Sequence, residues 1–243
     1  MTAPAAFEVE LPGARAAFSN RCGGVSAGPY ESLNLGILTD DRTTHVAENR
    51  ARLAASLALD PARVVMGWQR HGTEIASWDG PPAPGRDGYA SPGAELPEVD
   101  GHTTVERSLG LLVLVADCLP VALAGGGRAA MVHCGWRGLA GGIIERGVAL
   151  FDEPPAAAAG PGIGRCCYEV GPEVLEAFAD LEGVADGRML DLRAVADAEL
   201  RAAGVASIEH VDLCTSCRPD LFFSHRRDRG VTGRQSGTVW LTA

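Results

Sequence analysis

Apolar positions along the 243-residue chain fall into short continuous runs, separated by longer stretches in which apolar residues recur every three or four positions. The longer stretches predict four helices, over 44–60, 139–151, 172–181 and 192–204. We expect Thr43 or Thr44 to cap the first helix and Pro61 to lie just beyond its end. Gly141 and Gly142 weaken the second helix, because glycine is a poor helix former.

The short apolar runs predict strands, over 63–72, 110–116, 120–124, 128–133, 208–213 and 238–242. The first of these runs into a polar turn that holds His71. Strands and helices are interspersed without strict alternation, which favours an α/β fold of layered mixed sheets flanked by helices. We expect one domain over residues 1–243, with the Pro- and Gly-rich segment 80–98 as a loop inside it.

Two of the predicted strands form a hairpin, since the glycine-rich sequence GGGR separates the runs 120–124 and 128–133. If the turn is centred near Gly126, position 120 lies opposite about 133, and position 118 opposite about 135. Cys118 and His133 then meet at the open end of the hairpin.

Composition and charge exclude several classes of function. The net charge is −10, and a non-specific nucleic-acid binder needs a basic face, so we expect no nucleic-acid partner. All 21 basic residues are arginine, which excludes lysine-based catalysis. The N-terminal segment lacks the pattern of a secretory signal, and the apolar run 109–116 is too short to cross a bilayer. Seven cysteines, with Cys166 and Cys167 adjacent, indicate reduced thiols in the cytoplasm.

The candidate chemistry centres on His71, Cys118 and His133. Two imidazoles and one thiolate suit zinc or copper, and three protein ligands leave one coordination position open, as catalytic sites do. An open position on zinc acidifies a bound water and suits hydrolysis. The spacing matches no short-range metal motif, so a cysteine hydrolase or amidase that uses Cys118 with a histidine and no metal stays open. Cys134 points to the opposite face from His133 and is expected to be packing.

The remaining motifs give weaker indications of function. The pair Cys214 and Cys217 in CTSC could bind metal or do redox chemistry, but no second Cys-x-x-Cys pair accompanies it, and two thiols in a turn are the simpler interpretation. Arg137 lies just before the predicted helix 139–151, where an anion could bind. The segment 224–237 concentrates arginines, which suits an anion site or a surface network with the nearby aspartates. These residues are Arg226, Arg227, Arg229 and Arg234, with Asp220 and Asp228.

Taken together, the motifs identify a family. FSNRCGGVSAGPYESLNLG, QRHGTEI, VDGHTT, ADCLPVAL, MVHCGWRGLAGG, GPGIGRCCYEVGPEV and CTSCRPDLFFSHRRDRGVTGRQSG occur in this order over nearly the whole chain. The sequence thereby resembles the YfiH/laccase-domain family. The resemblance implies a single α/β domain and a zinc or copper site at His71, Cys118 and His133. It also implies a purine nucleoside phosphorylase that deaminates adenosine and cleaves methylthioadenosine, with a role in peptidoglycan quality control proposed for bacterial members.

Our main hypothesis is therefore a metal-dependent purine nucleoside phosphorylase with adenosine deaminase activity, whose partners are nucleosides and phosphate and which is a monomer or a homodimer. We expect zinc, with copper as the alternative, at His71, Cys118 and His133. Asp117 is the candidate for moving protons. Arg137 is the candidate for phosphate, and Asn34 and Arg21 are candidates for substrate contacts.

Two other functions compete with this hypothesis: the metal-free cysteine hydrolase and an editing factor for cell-wall precursors. A multicopper mechanism is excluded, because it needs repeated His-x-His pairs and the chain has six histidines and no such pair.

Overall fold

A computed structural model describes residues 6–83, 88–90 and 95–242. Within these ranges the chain forms thirteen strands and five α-helices. The strands are β1 (Ala6–Leu11), β2 (Ala14–Ser19), β3 (Val64–Val65), β4 (Ile75–Trp78), β5 (Gly101–Thr104), β6 (Gly110–Val115), β7 (Leu119–Gly125), β8 (Arg128–Cys134), β9 (Ala156–Ala159), β10 (Ala185–Asp186), β11 (Met189–Leu190), β12 (Ile208–His210) and β13 (Gln235–Leu241). The helices are α1 (Thr43–Ser56), α2 (Trp136–Ala140), α3 (Ile143–Val148), α4 (Pro172–Glu176) and α5 (Leu192–Ala202). No helix in the described ranges is long and apolar enough to span a membrane.

Two mixed sheets organise the molecule. The first has the order β1-β2-β13-β6-β3, with only the β3–β6 pair parallel. The second has the order β12-β9-β7-β8-β5-β4, with a parallel pair at each edge and antiparallel pairs between them. A separate two-stranded ribbon joins β10 to β11.

The two sheets pack face to face, and helices cover their outer faces. Along β7, Ala122 and Ala124 contribute to the core between the sheets, whereas Val121 and Leu123 contribute to the core beneath α3 and α5. A third core packs α1 against the outer face of the first sheet. A strand covered on both faces favours apolar residues at successive positions, which explains the continuous apolar runs in the sequence. The prediction of an α/β domain with layered mixed sheets is confirmed.

The hairpin formed by β7 and β8 follows the predicted register. Pro120 pairs with His133 and Leu119 pairs with Cys134. Gly126 and Gly127 both have positive φ, as a two-residue turn between antiparallel strands requires.

The predicted helices differ from the observed ones in four respects. The helix predicted over 44–60 already ends at Ser56. The segment 139–151 is not one helix, because Gly142 adopts a left-handed conformation that ends α2 and starts α3. The N-cap of α1 is Arg42, with no side-chain cap, so the prediction of a threonine cap is wrong. The helix predicted over 172–181 ends at Glu176.

The strand predicted over 63–72 keeps only Val64–Val65, and the strands β1, β2, β4, β5, β9, β10 and β11 were not predicted. Of the loop 80–98, residues 84–87 and 91–94 lie outside the described residues. Tyr89, between them, is buried and donates its hydroxyl proton to the carbonyl of Arg50. The Arg50 guanidinium in turn donates to the carbonyls of Gly88 and Tyr89, so this part of the loop is anchored in the core.

One partly buried carboxyl makes stability depend on pH. Glu199 on α5 lies near Glu145, and its Oε2 is buried with no hydrogen-bond partner among the described residues. Burial, and then the charge of Glu145, raise the pKa of Glu199 to about 7. An unfolded glutamate has a pKa of about 4.3, so the folded state binds this proton more tightly and loses stability as the pH rises through about 7.

We expect Glu199→Gln to stabilise the protein at pH 8 by about 1–2 kcal/mol, a value reduced for the partial exposure of the side chain, and to change little at pH 5. The gain corresponds to a rise in Tm of about 3–6 °C at pH 8. Thermal unfolding at both pH values measures it, with the exposed Glu209→Gln as the control. An equal gain at pH 5 and pH 8 would contradict the titration of Glu199.

Candidate metal centre

His71, Cys118 and His133 converge from three parts of the fold. His71 lies in the turn after β3, Cys118 immediately precedes β7, and His133 is near the end of β8. Their ligand atoms lie within 4.8 Å of one another, and the two imidazole rings meet edge to face with centroids 4.8 Å apart. Donors this close can bind one zinc or copper ion, so the donor set and its spacing fit a metal with an open position.

Asp100, which sequence reasoning missed, holds two of these ligands. Its carboxylate accepts hydrogen bonds from three consecutive backbone N–H groups, of Arg70, His71 and Gly72, at 2.7–2.9 Å. His71 has a φ of +60°, which turns the chain around the carboxylate. The same carboxylate is 2.8 Å from Nδ1 of His133. Asp100 directly precedes β5 in the VDGHTT motif, and nothing in that motif alone indicates these partners.

The charge of Asp100 determines which nitrogen of His133 is available. Burial would raise the pKa of Asp100, but hydrogen bonds from His133 and from backbone N–H groups lower it to about 2, so the carboxylate is ionised. An ionised carboxylate only accepts, and Nδ1 of His133 must therefore carry the proton. Nε2 is then the nitrogen available to a metal, in the carboxylate–histidine arrangement that orients ligands in metal sites.

The thiol of Cys118 is prepared for metal binding. Burial would raise its pKa, but the adjacent imidazoles of His133 and His71 lower it. The thiolate is the form that binds metal. Gly135 leaves the space that the ligands need, because a Cβ there would come within 2.8 Å of the His71 ring and 3.2 Å of the Cys118 sulfur.

The three ligands lie on the wall of a cavity of about 490 Å³, a size typical of small-molecule sites. Aromatic and cationic side chains line the same space, among them Trp68, Trp136, Tyr168, Arg137, Arg226 and Arg234. Such a cavity offers faces for a planar ring and positive charge for an anion.

Arg137 lies at the cavity, but not where the sequence placed it relative to a helix. It is the second residue of α2, a helix of only five residues, rather than a residue before a long helix. Its guanidinium stacks on the Trp136 ring at 4.3 Å and makes no hydrogen bond or ion pair with the described residues. An anion would therefore be held by the guanidinium itself.

The structure does not bring Asn34 to the cavity. Asn34 is fully buried, and its Oδ1 accepts hydrogen bonds from the backbone N–H groups of Gly36 and Arg234. Its Nδ2 donates to Asp41 and Thr39. These bonds hold the backbone of Arg234, whose side chain does line the cavity.

Arg21 also lies outside the cavity lining. Its guanidinium donates to the carbonyls of Glu31 and Pro219 and stacks over the Phe223 ring at 4.5 Å. These contacts join the N-terminal segment to the loop after Cys217. The substrate contacts predicted for Arg21 and Asn34 have no counterpart in this geometry.

Asp117 lines the cavity beside Cys118 and has a φ of +91°, a rare conformation for a residue other than glycine. One carboxylate oxygen accepts from the Thr215 hydroxyl at 2.6 Å, and the other accepts from the backbone N–H of Arg226 at 2.7 Å. Because both oxygens have donors from the protein, the geometry favours a positioning role, while proton transfer by Asp117 stays a prediction.

The arginines of segment 224–237 divide between two places, a surface salt bridge and the positively charged wall of the cavity. Arg227 forms an ion pair with Asp228, as the salt-bridge interpretation expects, whereas Asp220 pairs with Arg218, which lies outside the segment. Arg226 and Arg234 instead line the cavity.

The neighbour of His133 on β8 takes no part in the centre. Cys134 is fully buried in the core beneath the helices, and burial raises its pKa well above the usual value. The prediction that Cys134 is packing is confirmed.

Comparison with known proteins agrees with this architecture. The family described as multi-copper polyphenol oxidoreductase laccase matches residues 15–242. The protein of Shigella flexneri named purine nucleoside phosphorylase YfiH is 39% identical, with 94% of each chain covered. Its counterpart in Geobacillus stearothermophilus, purine nucleoside phosphorylase YlmD, is 37% identical, with 91% of this chain and 88% of that protein covered.

Solved structures show the same fold. The crystal structure of YlmD from Geobacillus stearothermophilus superposes with a TM-score of 0.88 at 35% identity, covering 96% of this chain and 93% of that one. The crystal structure of a hypothetical protein YfiH from Bacillus licheniformis gives a TM-score of 0.86 at 32% identity, covering 98% and 97%.

Proposed function

Because the chain belongs to the laccase/YfiH family, we propose that it is a metal-dependent purine nucleoside phosphorylase that acts on adenosine, inosine and methylthioadenosine and also deaminates adenosine. The observation that carries this proposal is the group of His71, Cys118 and His133 on the wall of a cavity that also presents aromatic rings and an unpaired guanidinium. Seven free thiols support a cytoplasmic location.

Zinc suits the centre best, with copper as the alternative, because both accept imidazole and thiolate ligands. Bound there, the metal would supply Lewis-acid activation of water for the deamination. The multicopper oxidase chemistry in the family's description is not proposed, since the chain has six histidines and no His-x-His pair.

Phosphorolysis requires phosphate near C1′ of the ribose. The Arg137 guanidinium is oriented by stacking on Trp136 and has its N–H donors free of the described residues, so it can bind two phosphate oxygens at once. Arg234 adds positive charge to the same cavity, although its own guanidinium is bound to the carbonyls of Thr232 and Gly233. The two arginines therefore attract the doubly charged phosphate to a position beside the nucleoside.

The leaving purine develops negative charge, which a proton donor stabilises. A tyrosine hydroxyl is protonated at neutral pH, and burial, and then the charge of Cys118, raise the pKa of Tyr168 to about 12, so the hydroxyl acts by donating a hydrogen bond. Arg226 stacks on the Tyr168 ring at 5.1 Å and fixes its position. We assign Tyr168 as a donor to the base and the aromatic wall as the surface on which the base stacks.

Chromatographic product analysis tests the proposal. Zinc-loaded protein is incubated with adenosine or inosine, with and without phosphate. We expect phosphate-dependent release of free base, and inosine from adenosine without phosphate. If zinc-loaded protein yields neither product, the nucleoside function is refuted.

Replacing Arg137, the residue proposed to bind phosphate, distinguishes phosphorolysis from deamination. We expect Arg137→Ala to raise the KM for phosphate at least about 10-fold, which corresponds to the loss of one charge-assisted hydrogen bond, and to leave deamination of adenosine nearly unchanged. Arg146→Ala is the control, because Arg146 forms a surface ion pair with Glu74. An unchanged KM for phosphate would remove Arg137 from this role.

One observation favours a second candidate. Cys118, His133 and Asp100 form a thiolate–imidazole–carboxylate chain, which is also the arrangement of a cysteine hydrolase. That mechanism gives no role to His71. Asp100 holds the turn that carries His71, and Gly135 leaves the space in which its ring lies beside the Cys118 thiolate. Full activity in protein freed of metal would support the hydrolase, and slow nucleoside turnover with affinity for a cell-wall precursor would support an editing factor.

A further inference from the structure

A second group of metal-binding side chains lies apart from the centre described above. Cys166, Cys167, Cys214 and Cys217 bring their sulfur atoms within 4.8 Å of one another. The Cys217 sulfur is 3.5 Å from that of Cys166 and 3.4 Å from that of Cys167. We propose that these four cysteines form a structural zinc site that fixes one wall of the cavity.

The distances match a metal site better than a pair of disulfides. Four thiolates at 2.3 Å from a zinc ion occupy the corners of a tetrahedron with sulfur atoms about 3.8 Å apart. A disulfide requires sulfur atoms about 2.05 Å apart. All seven cysteines of the chain are free in the structure, including these four. With four protein ligands the site is closed, as structural zinc sites are.

The surrounding backbone is shaped for thiolates. The N–H of Gly164 donates to the Cys214 sulfur at 3.2 Å, which stabilises negative charge there. A Cβ at Gly164 would lie 3.3 Å from the Cys166 sulfur, so glycine keeps this approach open. The Arg227 guanidinium donates to the carbonyls of Thr215 and Ser216, between the two cysteines of CTSC, and places positive charge beside the group.

The site joins a segment that lines the cavity to one that supports a lining residue. Gly162 and Cys214 form a parallel bridge, and the N–H of Thr215 donates to the carbonyl of Gly162. Tyr168, next to Cys167 in the sequence, lines the cavity, and the Thr215 hydroxyl holds Asp117. A metal between 166–167 and 214–217 therefore fixes the segment of Tyr168 to the segment of Thr215, which supports Asp117 on the cavity wall, without contacting substrate.

Zinc content of the reduced, zinc-loaded protein tests the proposal. We expect two zinc ions per chain in the wild type, one in Cys217→Ser, one in His71→Ala and none in the double variant. Cys22→Ser is the matched control and should keep two, because Cys22 belongs to neither group. Cobalt bound to His71→Ala should show the intense thiolate-to-cobalt absorption of a four-thiolate site.

A measurement on the wild type makes the test independent of how the variants fold. Cys166 and Cys217 are exposed, so without a metal an alkylating reagent should modify them at once. We expect mass spectrometry to show all four thiols protected in zinc-loaded protein and modified after a strong chelator is added.

Three results would overturn the proposal: one zinc per chain in the wild type, rapid alkylation in zinc-loaded protein, or disulfides among these cysteines in protein kept reduced. Each of these readouts is independent of nucleoside turnover. Failure of the zinc-site proposal can therefore be distinguished from failure of the proposed activity.

Discussion

Replacing His71 by alanine should remove the metal from the His–His–Cys centre and lower kcat/KM for adenosine at least about 1000-fold, or about 4 kcal/mol of transition-state stabilisation. The reason is the small number of ligands. His71, Cys118 and His133 are the only donors in this group within the described residues, and two of them hold a divalent ion far less well than three. Metal analysis and steady-state kinetics on the same preparation measure both effects.

His210→Ala is the matched control, because Nε2 of His210 lies 3.4 Å from the Asp197 carboxylate and the residue lies outside the centre. It should keep wild-type metal content and activity. Nearly full activity in His71→Ala, with the metal lost from this centre, would contradict a metal-dependent reaction and favour the thiol mechanism at Cys118.

Replacing Asp100 by asparagine should weaken metal binding about 10- to 100-fold, the range for residues that orient metal ligands. Each carboxylate oxygen of Asp100 accepts from donors on two sides: Oδ1 from His71 and His133, and Oδ2 from Arg70 and Gly72. In either orientation, the amide of asparagine places its NH₂ group against two of these donors. The turn that carries His71 and the ring of His133 then both lose their support.

Competition with a zinc chelator measures the affinity of the Asp100→Asn protein, and circular dichroism checks that it folds. Excess zinc should restore most of the kcat, because Asp100 positions the ligands and does not bind the metal itself. Asp79→Asn, at an exposed aspartate, is the control. Unchanged affinity, or a loss of kcat that saturating zinc does not restore, would contradict this role.

Local signals in the sequence explain the parts of the fold that were predicted. The turn at Gly126 and Gly127 fixes the register of β7 and β8, and that register alone brings Cys118 close to His133. The interspersed order of apolar runs and helical stretches indicated layered mixed sheets, and burial of the strands on both faces explains why those runs are continuous. His71 had no such local constraint: its imidazole suggested it as a third ligand, and the resemblance to a family supported that choice.

The parts that were missed depend on contacts between residues distant in the sequence. Asp100 acts through hydrogen bonds to the turn at 70–72 and to His133, and no periodicity encodes these. The Cys-x-x-Cys pair at 214–217 was interpreted as a motif without partner ligands. The cysteines that lie beside it are the adjacent pair 166–167, which does not form a second Cys-x-x-Cys motif. The helix over 139–151 was overestimated because Gly142 takes a left-handed conformation.

The position of β13 constrains the order in which the protein can form during its synthesis. This strand lies between β2 and β6 in the five-stranded sheet, yet the ribosome makes it after every other strand of that sheet. Until residue 235 has emerged, β2 and β6 each expose an unpaired edge, and such edges promote aggregation. A nascent chain that stops before this point has all three metal ligands but an unfinished sheet. Chaperones and proteases can therefore recognise truncated copies by these open edges, even when the metal centre is already encoded in them.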